Sequence, residues 1–485
     1  MISFILCIAA LLLGAFFYGR FIEKAINVNP HRTMPCNTMR DGIDFVPMSP
    51  WKVYLIQFLN IAGTGPIFGA IMGILFGPAA YLWIVLGCVF AGAMHDFFSA
   101  MISLRSGGES LPEQITKTLG KKVGMIMRIV TMVLLIMVVA VFVSTPASLL
   151  ANLTPSWGAF GTVTFWTIII FAYYLLATLL PIGALIGKIY PVFGAALLIM
   201  AVGVGAGIFF QEGINGTTWM PELTEAFQNH HPKGTPIFPM LCITIACGAI
   251  SGFHATQSPL MIRCTPNEKH VRPVFYGAMI TEGVVALIWA AAAIKYTGSY
   301  QGLWDEMHDN PSIIVTAICH DWMGQVGAVL AILGVVAAPV TTGDTALRSA
   351  RLITADFLNY KQDKILNRLI IALPLAAIVI VLMNIDFSIL WRYFGWINQT
   401  LSVFTLWAIT VWMSNRGRNI YISLIPAMFM TFTCTSFILV CPQEQGGFGI
   451  NEWIGLSIGA IVSLACCLIF FMRREHSPIR KRRKA

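Results

Sequence analysis

Charge is scarce in this chain. Of its 485 residues only 11% are Asp, Glu, Lys or Arg, against 57% hydrophobic, where soluble proteins carry roughly 25% charged residues. That balance excludes a water-soluble enzyme or nucleic-acid binder of this length. There is no Gly-rich Lys-Ser/Thr run to cradle nucleotide phosphates, and no interval between apolar stretches exceeds about 35 residues, which leaves no room for a soluble motor domain. His-Glu-x-x-His is missing, so a zinc protease has no support. Gly455-Leu456-Ser457-Ile458-Gly459 has nucleophile-elbow spacing, but it lies within one continuous apolar run and not at a strand-to-helix turn. The 11 Cys lack metal-ligand spacing and sit mostly inside apolar runs, where they read as small core residues and not as a disulfide framework. No enzymatic chemistry is expected.

What is abundant is long apolar sequence. Thirteen stretches reach or approach the roughly 20 residues that span a bilayer: 2–18, 53–77, 79–104, 123–143, 161–180, 191–210, 237–262, 274–294, 326–346, 369–385, 387–413, 420–440 and 453–472. The first lacks the basic start and small-residue cleavage site of a signal peptide and is read as a span. Basic residues test this count independently, because a wrong number of spans would scramble their alternation. With the N-terminus outside, 27 of the 31 Lys and Arg fall on the cytoplasmic side; Lys233, Lys295 and Arg392 lie outside and Arg128 sits just inside a span. The basic excess is thus a topology signal. The basic run at 480–484 in the cytoplasmic tail 473–485 is expected to meet anionic lipid headgroups and not nucleic acid.

Two spans contain helix breakers at their middles, where lipid cannot hydrate a freed backbone group. They are Asn60-Ile61-Ala62-Gly63-Thr64-Gly65-Pro66 and Gly248-Ala249-Ile250-Ser251-Gly252-Phe253-His254-Ala255-Thr256-Gln257. Each is followed by a span holding a buried-type acid, Asp96 or Glu282. Gly63 and Gly248, Gly65 and Gly252, and Asp96 and Glu282 lie 185, 187 and 186 residues apart. Five spans separate equivalent positions, and an odd number inverts the second unit. The alternative for one such motif is plain helix packing, since Gly65-x-x-x-Gly69 also suits close contact. The expected fold is an all-α polytopic membrane protein with about thirteen transmembrane helices. A 1–52 N-terminal helix and loop precedes five-helix repeats at 53–210 and 237–413, and two peripheral helices at 420–472 follow. Such a five-plus-five inverted core is leucine-transporter-like.

Tyr18-Gly19-Arg20-Phe21-Ile22, the run from Asn60 to Ile67, His95-Asp96-Phe97 with Ser103-Leu104-Arg105, and Gly252-Phe253-His254-Ala255-Thr256-Gln257-Ser258 together resemble the carbon starvation protein A (CstA) family. The resemblance implies a bacterial inner-membrane transporter of the amino acid-polyamine-organocation superfamily, importing peptides or pyruvate. The chain is shorter than many members toward its C-terminal end.

The residues suggest where such a solute would go. Helix breaks expose backbone N–H groups, and a helix N-terminus favours a carboxylate. Gly63, Thr64 and Gly65 are therefore candidate substrate contacts, joined by Ser251, Gly252, His254, Thr256 and Gln257 in the second break. His254 reads equally as a satisfied interior histidine or a proton relay. Asp96, Glu282 and Asp344 are candidate proton-coupling groups, because an ionised carboxylate in hydrocarbon costs roughly 3 kcal/mol unless paired, hydrated or protonated. A structural polar tie is the alternative for the first two. His95 adjoins Asp96, but neighbours on a helix point about 100 degrees apart and need not touch. Ala338, Thr341 and Thr342 form a small-x-x-hydroxyl-hydroxyl run suited to Na+, although such hydroxyls also bond back to their own helix. The coupling ion is H+ or Na+, with no other cofactor expected. A channel and a nutrient-sensing receptor remain alternatives. Substrate choice and oligomeric state are not readable.

Overall fold

The computed structural model describes residues 1–180, 186–308, 310–385, 387–443 and 446–475, so most of the basic tail, including its 480–484 run, lies outside the described residues. Helices dominate, and no strand occurs among the described residues. In chain order, those of eight residues or more are α1 (Ile2–Ile26), α2 (Pro50–Ala62), α3 (Gly65–Gly73), α4 (Ala79–Arg105), α5 (Leu111–Leu119), α6 (Lys121–Leu153), α7 (Val163–Leu179), α8 (Ile186–Phe210), α9 (Ile237–Thr244), α10 (His254–Ile262), α11 (Gly277–Thr297), α12 (Tyr300–Met307), α13 (Pro311–Ala331), α14 (Ala337–Leu358), α15 (Ile365–Leu382), α16 (Phe387–Asn415), α17 (Tyr421–Val440) and α18 (Glu452–Glu475).

Among the described residues, eight helices are long and apolar enough to cross a membrane, nine if the bent pair α2–α3 counts as one span. This is a multi-pass membrane protein. The remaining apolar stretches fall on interrupted or shorter elements: α7 has 17 residues, and 237–262 divides into α9 and α10. Large side chains on α1, α15 and α18, such as Leu13, Val381 and Ile461, stay exposed, as lipid-facing surfaces do, while α4 and α11 are buried nearly throughout.

Both breaks form where the sequence predicts interruption. Gly63 has φ +49°, a conformation that ends α2 at little cost only because glycine has no Cβ. Pro66 then restarts the chain as α3, bent 44° from α2. The second interruption is wider, running from Ile245 to Phe253 with Gly248 at φ +96°. The halves pack reciprocally: α3 lies against α11, which carries Glu282, and α10 lies against the Asp96 end of α4. Each acid-bearing helix also contains or follows a π-helical turn, starting at Gly87 in one case and Arg272 in the other.

One region departs from expectation. The interval ahead of 326, read as an outside loop, holds α12 and most of α13, which kinks at Gly324 (φ +60°); beyond the kink 326–346 is continuously helical, passing through a π turn at Ile332–Val336 into α14. Polar His320 and Asp321 interrupt the apolar pattern of α13, which hid its first turns from a hydropathy reading.

Candidate functional site

A cavity of about 830 Å³ lies between the two breaks. Gly65 and Cys247 line it from the breaks, Ser144, Thr145 and Ser148 from α6, and Asn398 from α16. His231 and Lys233 line it from the 211–236 segment, with Trp304 of α12. Lys233 Nζ sits 4.5 Å from the Trp304 ring centroid, a cation–π distance. Burial and the Lys233 charge hold the His231 imidazole below its usual pKa. Among the described residues no carboxylate lines the cavity, and Lys233 brings a positive charge to it.

Cys247 connects the cavity to a fully buried charge centre. His254 Nδ1 and Asp96 Oδ2 are 2.9 Å apart, and His95 Nδ1 contacts Asp96 Oδ1 at 2.9 Å. On its other side, His254 Nε2 stands 3.6 Å from Glu282 Oε2. All four side chains have no solvent exposure. His95 and Asp96 thus do touch, because the imidazole turns along the helix toward its neighbour. Cys247, His254 and Glu282 offer donor atoms within 4.8 Å of one another, a donor set that could hold a metal.

Of the eight expected substrate contacts, Gly65 lines the cavity and the others stand behind it. Gly63 packs against Phe142 and Thr342, and the Thr64 hydroxyl is buried without a hydrogen-bond partner. Ser251 donates to Asn398 Oδ1 at 3.1 Å, an oxygen that also accepts from Phe253 N at 2.7 Å. Gly252 lies so close to the Asn398 and Ser402 backbone that no Cβ fits. Thr256 donates to the Phe253 carbonyl at 2.7 Å, and Gln257 Nε2 reaches Thr256 Oγ1 at 2.9 Å. These groups hold the second break in place.

The α14 residues form a separate cluster. Thr341 and Thr342 both donate to Ala338 O, at 2.8 and 2.9 Å, and Thr342 also reaches Leu59 O beside the first break at 3.3 Å. Asp344 is fully buried and takes Oδ2 contacts from Tyr190 and, at 2.9 Å, from Tyr173. No cationic side chain of the described residues lies within ion-pair distance of it. One turn on, Arg348 is engaged elsewhere, with Asp44 at 3.3 Å and Leu180 O at 2.8 Å.

Several contributors were missed from sequence. Asn398 and the Ser144-Thr145-Pro146 run are polar interruptions of apolar spans, a signal that was present. Tyr173 and Tyr190 carried none, since aromatic residues are ordinary in such helices.

The carbon starvation protein CstA family profile matches residues 1–165, 159–308 and 309–437. The chain belongs to that family. Among CstA-family relatives, an uncharacterised membrane protein of Haemophilus influenzae is 44% identical over 360 residues, 65% of this chain and 96% of the relative. The peptide transporter CstA of Campylobacter jejuni is 29% identical, covering 60% of this chain and 49% of its own length. The pyruvate/proton symporter BtsT of Escherichia coli is 30% identical, covering 59% of this chain and 48% of its own. The chain spans about half the length of these two named transporters.

Proposed function

We propose that this protein is a secondary importer of small organic nutrients, peptides or pyruvate, working by alternating access across a bacterial inner membrane with its N-terminus outside. The observation that carries this reading is the cavity between the two helix breaks, which is lined by the Lys233 ammonium and by no carboxylate among the described residues. A free carboxylate would be drawn in by Lys233 and stabilised near Gly65, where α3 begins and its partial positive charge is concentrated. Binding pockets for drug-sized ligands measure roughly 300–1,000 Å³, so about 830 Å³ suits a short peptide better than a three-carbon acid. In the proposed orientation the cavity faces outside, and the Arg348–Asp44 pair closes the opposite end.

The reciprocal packing of each break against the other unit's acid-bearing helix supports an inverted pair of repeats within the expected thirteen-span fold. So do the π turns, which start 185 residues apart at Gly87 and Arg272. For the coupling ion, Asp344 is the group we assign to the proton. A buried carboxylate with phenol partners and no described cation within ion-pair distance is costly to ionise in hydrocarbon, and a proton relieves that cost. Asp96 and Glu282 are assigned to holding His254. Sodium is the second reading, favoured by the convergence of Ala338 O, Leu59 O, Thr341 and Thr342.

Proteoliposomes test both readings. Labelled dipeptide and pyruvate are offered with pH and sodium gradients imposed separately. Saturable accumulation driven by one gradient is expected. Gradient-independent conductance would replace the carrier with a channel, and binding without flux would replace it with a receptor.

A further inference from the structure

We infer that Cys247, His254 and Glu282 form a binding site for a zinc-like divalent cation that enters from the cavity and arrests the protein. The donor types are a thiol, an imidazole and a carboxylate, the mixture that borderline-soft Zn2+ takes. Their donor atoms lie within 4.8 Å of one another. The 3.6 Å between His254 Nε2 and Glu282 Oε2 is long for a hydrogen bond. It matches the spacing of about 3.3–3.8 Å that two ligands of one tetrahedral zinc require when each bond is about 2.0–2.3 Å.

Three further observations point the same way. His254 Nε2 and the Glu282 oxygens are buried and make no side-chain hydrogen bond within 3.5 Å with good geometry, facing each other only at 3.6 Å, and under-satisfied buried polar atoms call for a partner. His254 Nδ1 is engaged by Asp96 at 2.9 Å, which leaves Nε2, on the Glu282 side, as the nitrogen free to take a metal. A carboxylate behind a histidine is the usual support of a metal-bound imidazole. Cys247 lines the cavity, which gives an ion a way in and leaves a fourth position for water.

The charges balance. A divalent cation with one thiolate, one carboxylate and a neutral imidazole sums to zero, and the thiol proton and the His254 Nε2 proton leave to cavity water as the sulfur–metal and nitrogen–metal bonds form. The ion would tie the second break, where Cys247 sits, to α10 and α11. A carrier that must move that break would stop. The arrest rests on the importer reading, whereas the binding does not.

The test uses purified full chain and Co2+ as a spectroscopic probe. One Co2+ per chain, with a thiolate-to-cobalt charge-transfer band that Zn2+ displaces, is expected. Cys247→Ser should abolish the band and weaken binding at least tenfold, and Glu282→Gln should weaken binding to a similar extent while retaining the band. Cys242→Ser, at a buried cysteine outside the cluster, should change neither. A thermal-melt check on each variant separates lost ligands from lost fold, and Glu282→Gln serves if Cys247→Ser does not fold. Absence of the band at saturating Co2+, or unchanged affinity in both ligand variants, overturns the site. In proteoliposomes, external Zn2+ should inhibit wild-type uptake and inhibit Cys247→Ser at least tenfold less potently, each against its own metal-free rate. Binding without inhibition overturns the arrest alone, and absence of metal-free uptake sinks the importer reading while the cobalt result stands.

Discussion

Asp96 and Asp344 are both fully buried acids, yet their surroundings are opposite. Asp96 has an imidazole on each oxygen, His95 on one and His254 on the other. Asp344 meets two phenols, Tyr173 and Tyr190, and among the described side chains no cation within ion-pair distance. The first carboxylate is tied into a network that joins α4 to α10 and the second break, and removing it leaves two buried imidazoles without their acceptor. Removing the second leaves two hydroxyls behind. Under the importer reading, burial alone does not single out Asp344 over Asp96 for coupling; the partner chemistry does.

That contrast is breakable by substitution. The largest expected effect is Asp344→Asn, which should abolish gradient-driven accumulation, by about a hundredfold or more in initial rate, while substrate exchange across an undriven membrane persists; retained accumulation would transfer coupling to another group. Next comes Asp96→Asn. Loss of one partner of a buried ionic pair typically costs about 3–5 kcal/mol, so thermal unfolding in detergent should shift downward by several degrees or more, whereas Asp344→Asn should unfold at or above the wild-type temperature. Equal shifts would erase the distinction. Tyr190→Phe should slow driven uptake about tenfold, because one of two phenol donors to Asp344 is lost; Tyr174→Phe, whose hydroxyl serves the Phe142 and Pro339 carbonyls, should slow it less. The smallest effect belongs to the cavity mouth. Lys233→Ala should raise KM for an anionic substrate about threefold with little change in kcat, and added salt should mimic it in the wild type by screening; a KM indifferent to both would leave Lys233 without a role in selection.

Much of this arrangement was legible before any coordinates. Gly63, Gly65 and Pro66 announce a broken helix because no lipid-exposed backbone tolerates them, and Gly248 through Gln257 repeat the signal. Asp96 and Glu282 are conspicuous in apolar sequence, and their meeting at His254 follows once the breaks are placed together. Sequence could not show which face of each break is open. Of the expected substrate contacts only Gly65 reaches the cavity, because Ser251 and the backbone beyond it are drawn onto Asn398, a partner 147 residues away. The phenols around Asp344 were invisible for the same reason: tyrosines on α7 and α8 acquire meaning only when α14 packs beside them. Helix α13 escaped notice because His320 and Asp321 disrupt the apolar run that would have declared it.

The crossed packing of α3 on α11 and of α10 on α4 means that neither half of the chain owns a finished pocket. A protease nick in the exposed 211–236 segment would yield two fragments that must find one another before either could hold a solute, much as two hands must clasp to carry water.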